Sequence, residues 1–302
     1  MTFIAFILIL LSAILHAAWN LIAKKTTMTV PFYTILCIMG ALLWLHVQFW
    51  TPVAVWQLPL NFWYMIAGTI TADVLYCFSL VLIYRKMEMA AAYPMMRSLP
   101  ILLTALSTAA FGIGSAIGWI RGIGFITVFT GALLMPLKNF SQMKISTYFD
   151  RKMFYVLMAA CGTTGYTIFD SQGIKIIRSL YQDVSSVKIS LTYYSTRTLL
   201  LATTLCICCC FMAEARKVFK EYWHNHNFYP VLAACCSSST YILVLIAMNY
   251  VTNVSYVQVC RQLGLPIGML AGIFILKEKS TVTKWVGVSI ILTGFAISFL
   301  AR

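Results

Sequence analysis

Apolar residues in this chain come in long blocks separated by short polar breaks. The blocks predict helices at 2–23, 30–50, 60–84, 90–112, 115–136, 152–172, 190–213, 228–250, 254–276 and 281–301. A helix of about 20 apolar residues crosses the roughly 30 Å of bilayer hydrocarbon. The predicted fold class is all-α: a polytopic membrane protein of ten transmembrane helices, five to each half. Connections are short, and no soluble domain of any size fits between them. The first span lacks a basic start and runs into Lys24-Lys25 without a small-residue cleavage site. It reads as a retained helix, not a signal peptide.

The blocks also repeat. Residues 80 to 131 run from Leu80-Val81-Leu82-Ile83 through Tyr93, Arg97 and Pro100 to Gly124 and Thr130-Gly131. Residues 243 to 294 follow the same order with Leu243-Val244-Leu245-Ile246, Tyr256, Arg261, Pro266, Gly287 and Thr293-Gly294. The offset is 163 at the tetrapeptide, tyrosine, glycine and Thr-Gly pair, 164 at the arginine and 166 at the proline. Trp19 of the first span has an echo in Tyr166 of the sixth, offset by 147, and the change of offset falls in the longer loop 173–189. Such self-similarity is the mark of internal duplication. It divides one membrane domain into a first repeat, 1–136, a connecting loop, 137–151, and a second repeat, 152–302. With an odd number of helices in each, the second repeat enters the membrane from the opposite side. Inverted repeats are a recurring transporter plan, with substrate held near the midplane between the halves.

Composition agrees with the pattern: 61% of residues are hydrophobic and 10% charged, where soluble domains carry about a quarter charged. The net charge of +14 does not point to nucleic acid, because the basic residues gather at membrane borders. Loops after odd-numbered spans hold 14 of them, loops after even-numbered spans five, and three lie inside spans. Read as a positive-inside bias, this puts the odd loops in the cytoplasm and both termini outside. Anionic lipid is the partner such borders expect. All ten cysteines fall inside spans and are expected as free thiols that pack like small apolar residues. Neither the Cys206–Cys210 run nor the pair His224 and His226 makes a convincing metal site.

Gly114, Gly118 and Gly122 recur at intervals of four at the start of the fifth span, and Gly264, Gly268 and Gly272 do so in the ninth. Small-residue ridges of this kind let helix backbones approach closely in lipid. They serve packing within the monomer or a homodimer. Pro100 and Pro266 fall at matching levels and are expected to bend their helices.

These features resemble the drug/metabolite transporter superfamily, in particular the EamA-type permeases of bacterial inner membranes. The likeness rests on His16 to Asn20 followed by Lys24-Lys25, on Tyr93-x-x-x-Arg97 followed by Pro100, and on the Gly-rich ninth span running into Leu276-Lys277-Glu278-Lys279-Ser280. That family usually closes this segment with a Leu-Gly-Glu-Arg-like turn, so Lys277 stands for the glycine and Lys279 for the arginine. The first-half turn, Phe111-Gly112-Ile113-Gly114, lacks the glutamate. The resemblance implies a substrate cavity between the halves and export or exchange of small metabolites by alternating access. Some relatives have cytosolic termini, against the charge bias, and orientation stays open.

Ionisable groups are costly inside a bilayer and mark function first. Asp73, Arg97, Asp170, Arg197 and Arg261 lie within spans. Three cations against two acids leave one positive charge over, which a carboxylate or phosphate on a substrate would match through the guanidinium fork. Arg97 and Arg261 lead because the duplication places both. Asp73 is a candidate proton carrier or a fixed partner for an arginine, and Asp170, near the end of its span, reads as interfacial. His16 either titrates in coupling or bonds between helices. Trp19, Asn20, Tyr93, Tyr166 and Tyr256 complete the candidate binding residues, with Tyr241 as a further aromatic wall.

No catalytic triad, phosphate-binding glycine loop or metalloprotease spacing occurs, so neither an enzyme nor a bound cofactor is expected. The leading expectation is a secondary transporter of a small polar metabolite such as an amino acid or organic anion. The alternatives are a proton-coupled exporter of lipophilic cations using Asp73, and a lipid flippase or non-transporting membrane scaffold.

Overall fold

The computed structural model describes residues 2–23, 29–86, 89–135, 137, 139–140, 152–224, 229–277 and 281–300. Side chains at 17–23, 84, 89–94, 223–224, 229–230, 271–272, 275–276 and 300 lie outside the described set. The first part of the chain forms α1 (Phe3–Ala23), α2 (Val30–Trp44), α3 (Val47–Trp50), α4 (Leu60–Lys86), α5 (Met89–Ala110) and α6 (Trp119–Leu134). The rest forms α7 (Met153–Leu180), α8 (Ser186–Cys210), α9 (Ala215–His224), α10 (Tyr229–Met248), α11 (Ser255–Cys260), α12 (Gly264–Leu276) and α13 (Val282–Leu300). Local chemistry sets several of the ends. Thr29 caps α2 by accepting from the Phe32 amide at 3.2 Å, with Pro31 in the first turn, and Ser185 caps α8 through the Lys188 amide.

Among the described residues four helical stretches are long and apolar enough to cross a bilayer: Val30–Trp50, Leu60–Ile83, Val231–Met248 and Val282–Phe299. Phe3–His16, Met95–Ala110 and Trp119–Leu134 are shorter apolar helices. The surface suits hydrocarbon rather than water. Phe3, Phe211 and Phe274 are 77%, 87% and 77% exposed, whereas Thr69, Asp170, Ser190 and Thr192 are all 0% exposed. Water-soluble proteins distribute these residue types the other way round. The chain is an all-α membrane protein.

Several boundaries differ from those the hydropathy predicts. The helix expected to end at 172 continues to Leu180. Its last turns bury Gly173, Ile174 and Ile177 while exposing Lys175 and Arg178, so they are amphipathic and fall below a hydropathy threshold. Residues 215–224, expected as a solvated loop, form α9. This helix turns Phe219 onto the core and Tyr222 onto Phe32, ring centroids 5.6 Å apart, leaving Arg216, Lys217 and Lys220 exposed. The fifth span begins at Trp119 and not at 115, because Gly112 and Gly114 take φ of 63° and 81° and hold 111–118 out of helix. Residues 141–151 of the expected connecting loop lie outside the described residues.

The helices pair reciprocally. α1 packs on α10 and α4 on α7; α2 packs on α8; α5 packs on α7, and α1 on the α11–α12 region; α6 packs on α13. α6 crosses α13 closely. A Cβ at Gly131 would stand 2.7 Å from the Gly287 carbonyl oxygen, and one at Gly287 would stand 2.8 Å from that of Gly131. Gly124 and Gly294 face each other in the same way, at 2.8 Å in both directions. Of the expected ridges, Gly118, Gly122 and Gly268 meet nothing within 4 Å, and the surroundings of Gly272 lie outside the described residues.

A polar latch ties the α5–α6 loop to the α10–α11 loop. Ser115 donates its amide to the Thr252 carbonyl at 3.0 Å and its hydroxyl to Thr252 Oγ1 at 2.9 Å. Asn253 Nδ2 donates to the Ser115 carbonyl at 2.9 Å, and Asn253 Oδ1 accepts from the Ser255 amide at 2.9 Å. A Cβ at Gly114 would lie 2.5 Å from the Thr252 carbonyl oxygen, so only glycine permits so close an approach.

At the far end of α12, Lys277 has φ of 54°. A left-handed residue just past a helix end is the ordinary place for glycine, and an L side chain there costs roughly 1–2 kcal/mol. Lys277→Gly should therefore raise the thermal midpoint in detergent, by about 1 kcal/mol of stability. A lowered midpoint would contradict the strain at this position.

Candidate functional site

A cavity of about 160 Å³ lies among α1, α2, α4, α5, α7, α8, α10 and the 3-10 turn Arg261–Leu263. The turn interrupts the ninth span between α11 and α12, and Arg261 opens it. Such mid-helix 3-10 stretches often mark functional positions. His16, Asp73, Arg97, Tyr166, Arg197, Tyr241 and Arg261 all line the cavity. The walls are set in the halves of α1, α2, α4 and α5 that border the basic loops; the latch lies past the opposite ends of α5 and α10.

Arg197 governs the buried charge. It is 7% exposed and engages both acids: Nη2 donates to Asp73 Oδ2, and Nε stands 3.5 Å from Asp170 Oδ2. Asp170 is not interfacial as its sequence position suggested; it is 0% exposed and one of the best-coordinated groups described. Thr69 and Tyr193 each donate a hydroxyl to Oδ1 at 2.8 Å, and Tyr241 donates to Oδ2. Three hydroxyl donors and the nearby Arg197 guanidinium thus surround its two oxygens. The continuation of α7 past residue 172 is what puts Asp170 inside, one turn before the Gly173 that receives the Tyr193 ring.

Arg97 turns onto α1. Its Nη1 lies 3.1 Å from His16 Nε2, and because a guanidinium only donates, that nitrogen of His16 must accept. His16 thus bonds across from α1 to Arg97 on α5. Gln262 Nε2 donates to the Arg97 carbonyl at 2.8 Å, and Arg97 Nη2 would stand 3.4 Å from a Cβ at Gly264. Arg261 stands with its guanidinium carbon 5.9 Å from the Tyr241 ring centroid, and Arg197 stands 4.6 Å from the same ring. Tyr166 meets Tyr241 edge-on at 5.8 Å and Tyr76 at 6.1 Å. Arg261 Nη1 is buried with no hydrogen-bond partner among the described residues.

The candidates fall into three groups. Arg97, Arg261, Tyr166, Asp73 and His16 come together on one cavity. Tyr256 does not line it: its ring packs against Phe125 at 5.7 Å and Phe299 at 6.1 Å, and its hydroxyl accepts from Arg121 at 3.1 Å. Helical phase explains the miss, since Tyr256 precedes Arg261 by five residues, across the change from α-helix to 3-10 turn. The side chains of Trp19, Asn20 and Tyr93 lie outside the described residues. Sequence reasoning passed over Tyr33, Gly40 and Thr240, which also line the cavity. Tyr33, Cys37 and Gly40 lie four and three residues apart on one face of α2, a signal that spacing alone carried. No group of three His, Cys, Asp or Glu side chains able to hold a metal occurs among the described residues.

No family model and no curated protein matches this chain. A solved structure, described only as a crystal structure of protein, superposes with a TM-score of 0.68 at 13% identity. The match covers 98% of this chain and 97% of that one. At that identity the likeness is one of fold, and it extends over the whole length.

Proposed function

We propose that this protein is a secondary transporter of a small polar metabolite, an amino acid or organic anion, of the drug/metabolite transporter type. It works by alternating access around the Arg97–Arg261 cavity, between two inverted five-helix halves. The observation that carries this reading is the cavity itself: two arginines matched by the duplication stand on one small space between the repeats. The reciprocal packing speaks for the inversion. Under the offset of 163, Gly124 corresponds to Gly287 and Gly131 to Gly294, so the contacts Gly124–Gly294 and Gly131–Gly287 exchange with one another. The pairs α1–α10 and α4–α7 exchange likewise, as a two-fold axis in the membrane plane requires. With the basic loops in the cytoplasm of a bacterial inner membrane, the cavity faces inward and the Asn253 latch is the closed outer gate.

The cavity is small beside the roughly 300–1,000 Å³ of drug-sized sites, and Asp73 is engaged by Arg197. Both points speak against an exporter of lipophilic cations. The test is counterflow of labelled small carboxylates and amino acids in proteoliposomes. Arg261→Ala and Arg97→Ala should lower the initial rate at least about ten-fold, the scale of a lost charged hydrogen bond, while each variant stays monodisperse. Rates like the unmodified protein's in both variants would overturn the proposal.

A further inference from the structure

Asp73, which lines the cavity, and Asp170, which does not, are both engaged by one arginine. Asp73 and Asp170 each give an oxygen to Arg197, and the other Asp170 oxygen holds Thr69 and Tyr193. Arg261 makes no ion pair among the described residues, and its Nη1 is buried without a hydrogen-bond partner among them. Thr240 Oγ1, on the facing helix α10, is likewise buried and unpartnered among the described residues. Both residues line the same 160 Å³. A guanidinium cannot shed its proton, and a buried charge left unmatched is costly. Among the described residues the space therefore offers donors and the unmatched charge of Arg261, and the one carboxylate that lines it, Asp73, is already paired with Arg197.

From this we infer that the cargo is a small monocarboxylate anion with no ammonium group. Its two oxygens take the fork of Arg261, with the Thr240 hydroxyl donating to one of them. A zwitterionic amino acid brings the same carboxylate together with three N–H donors, for which the one carboxylate lining the cavity among the described residues, Asp73, is already ion-paired with Arg197. Desolvating such a group without a free counter-charge is the penalty that rejects it. A rigid planar fork and one hydroxyl suit a head-on carboxylate, and the small volume limits the tail to a few carbon atoms. The inference rests on the transporter reading for what the site is for, and on the charge arrangement alone for what it binds.

The test is equilibrium binding to purified protein in detergent, using acetate, lactate, glycine and ethylamine as probes at neutral pH. Acetate and lactate should bind, glycine at least about ten-fold more weakly, and ethylamine not at all. Arg261→Gln should abolish lactate binding. Arg261→Lys, which keeps the charge and removes the fork, should weaken it, and Thr240→Ala should weaken it several-fold. Glycine or ethylamine binding as tightly as lactate would overturn the inference, as would lactate binding that survives Arg261→Gln. Lactate binding that needs Arg261, in a protein that fails in counterflow, would uphold the site and sink the transporter. Counterflow of glycine that needs Arg261 would do the reverse.

Discussion

Asp170→Ala should leave little folded protein. The substitution removes four interactions at once, from Thr69, Tyr193, Tyr241 and Arg197, in a place that no solvent reaches. Three hydroxyls lose their acceptor, and Arg197 loses half of its compensating charge while remaining buried. Removing one partner of a buried ion pair typically costs about 3–5 kcal/mol, because the other charge is stranded. Asp73→Asn should be milder, since it leaves the Asp170 cluster intact and keeps an oxygen facing Arg197. Asp170→Asn falls between the two: its shape is right, but an amide nitrogen must face a donor. Thermal melting and monodisperse yield in detergent would rank the three. An Asp170→Ala variant melting with the unmodified protein would remove the cluster from the account of stability.

What could be read from the sequence follows from what each residue type costs to bury. An arginine inside an apolar run is expensive, so its presence carries information, and Arg97 and Arg261 do meet on one cavity. A tyrosine costs little to bury and carries correspondingly less. Tyr93 and Tyr256 matched in the repeat as well as the arginines did, yet Tyr256 lies in an aromatic packing cluster away from the cavity. Asp170 was misjudged because a hydropathy edge marks where lipid contact ends, not where a helix does. Eight further residues of α7 bury a narrow stripe of Gly173, Ile174 and Ile177, which the averaging of a window hides. Nor could the sequence assign Arg197 to both acids. That choice depends on the rotation of α4, α7 and α8 about their axes, which apolar blocks without a polar face leave undetermined.

Glycines make the same point more sharply, and they supply the second large effect. Spacing by four drew attention to Gly114, Gly118 and Gly122, but the crossing is made by Gly124 and Gly131 on α6 against Gly287 and Gly294 on α13. Seven residues is two turns, so each pair presents a single face. Among the atoms a Cβ would meet at each glycine is a main-chain oxygen at 2.7–2.8 Å, which cannot swing aside as a side chain would. Gly131→Ala or Gly287→Ala must therefore push α6 from α13, opening the contact that buries Phe125, Val128, Ile291 and Phe295. Overpacking of this kind costs about 1–3 kcal/mol, and the bulkier Gly131→Val should cost more. The double substitution Gly131→Ala with Gly287→Ala should cost less than the sum of the two, because the first has already moved the helices apart. Gly118→Ala and Gly122→Ala meet nothing within 4 Å. Gly122→Ala, inside α6, should even gain a few tenths to about 1 kcal/mol of helix propensity. Equal losses at Gly122 and Gly131 would mean that α6 resists any added methyl, and that the reciprocal glycine contacts do not hold the two helices together.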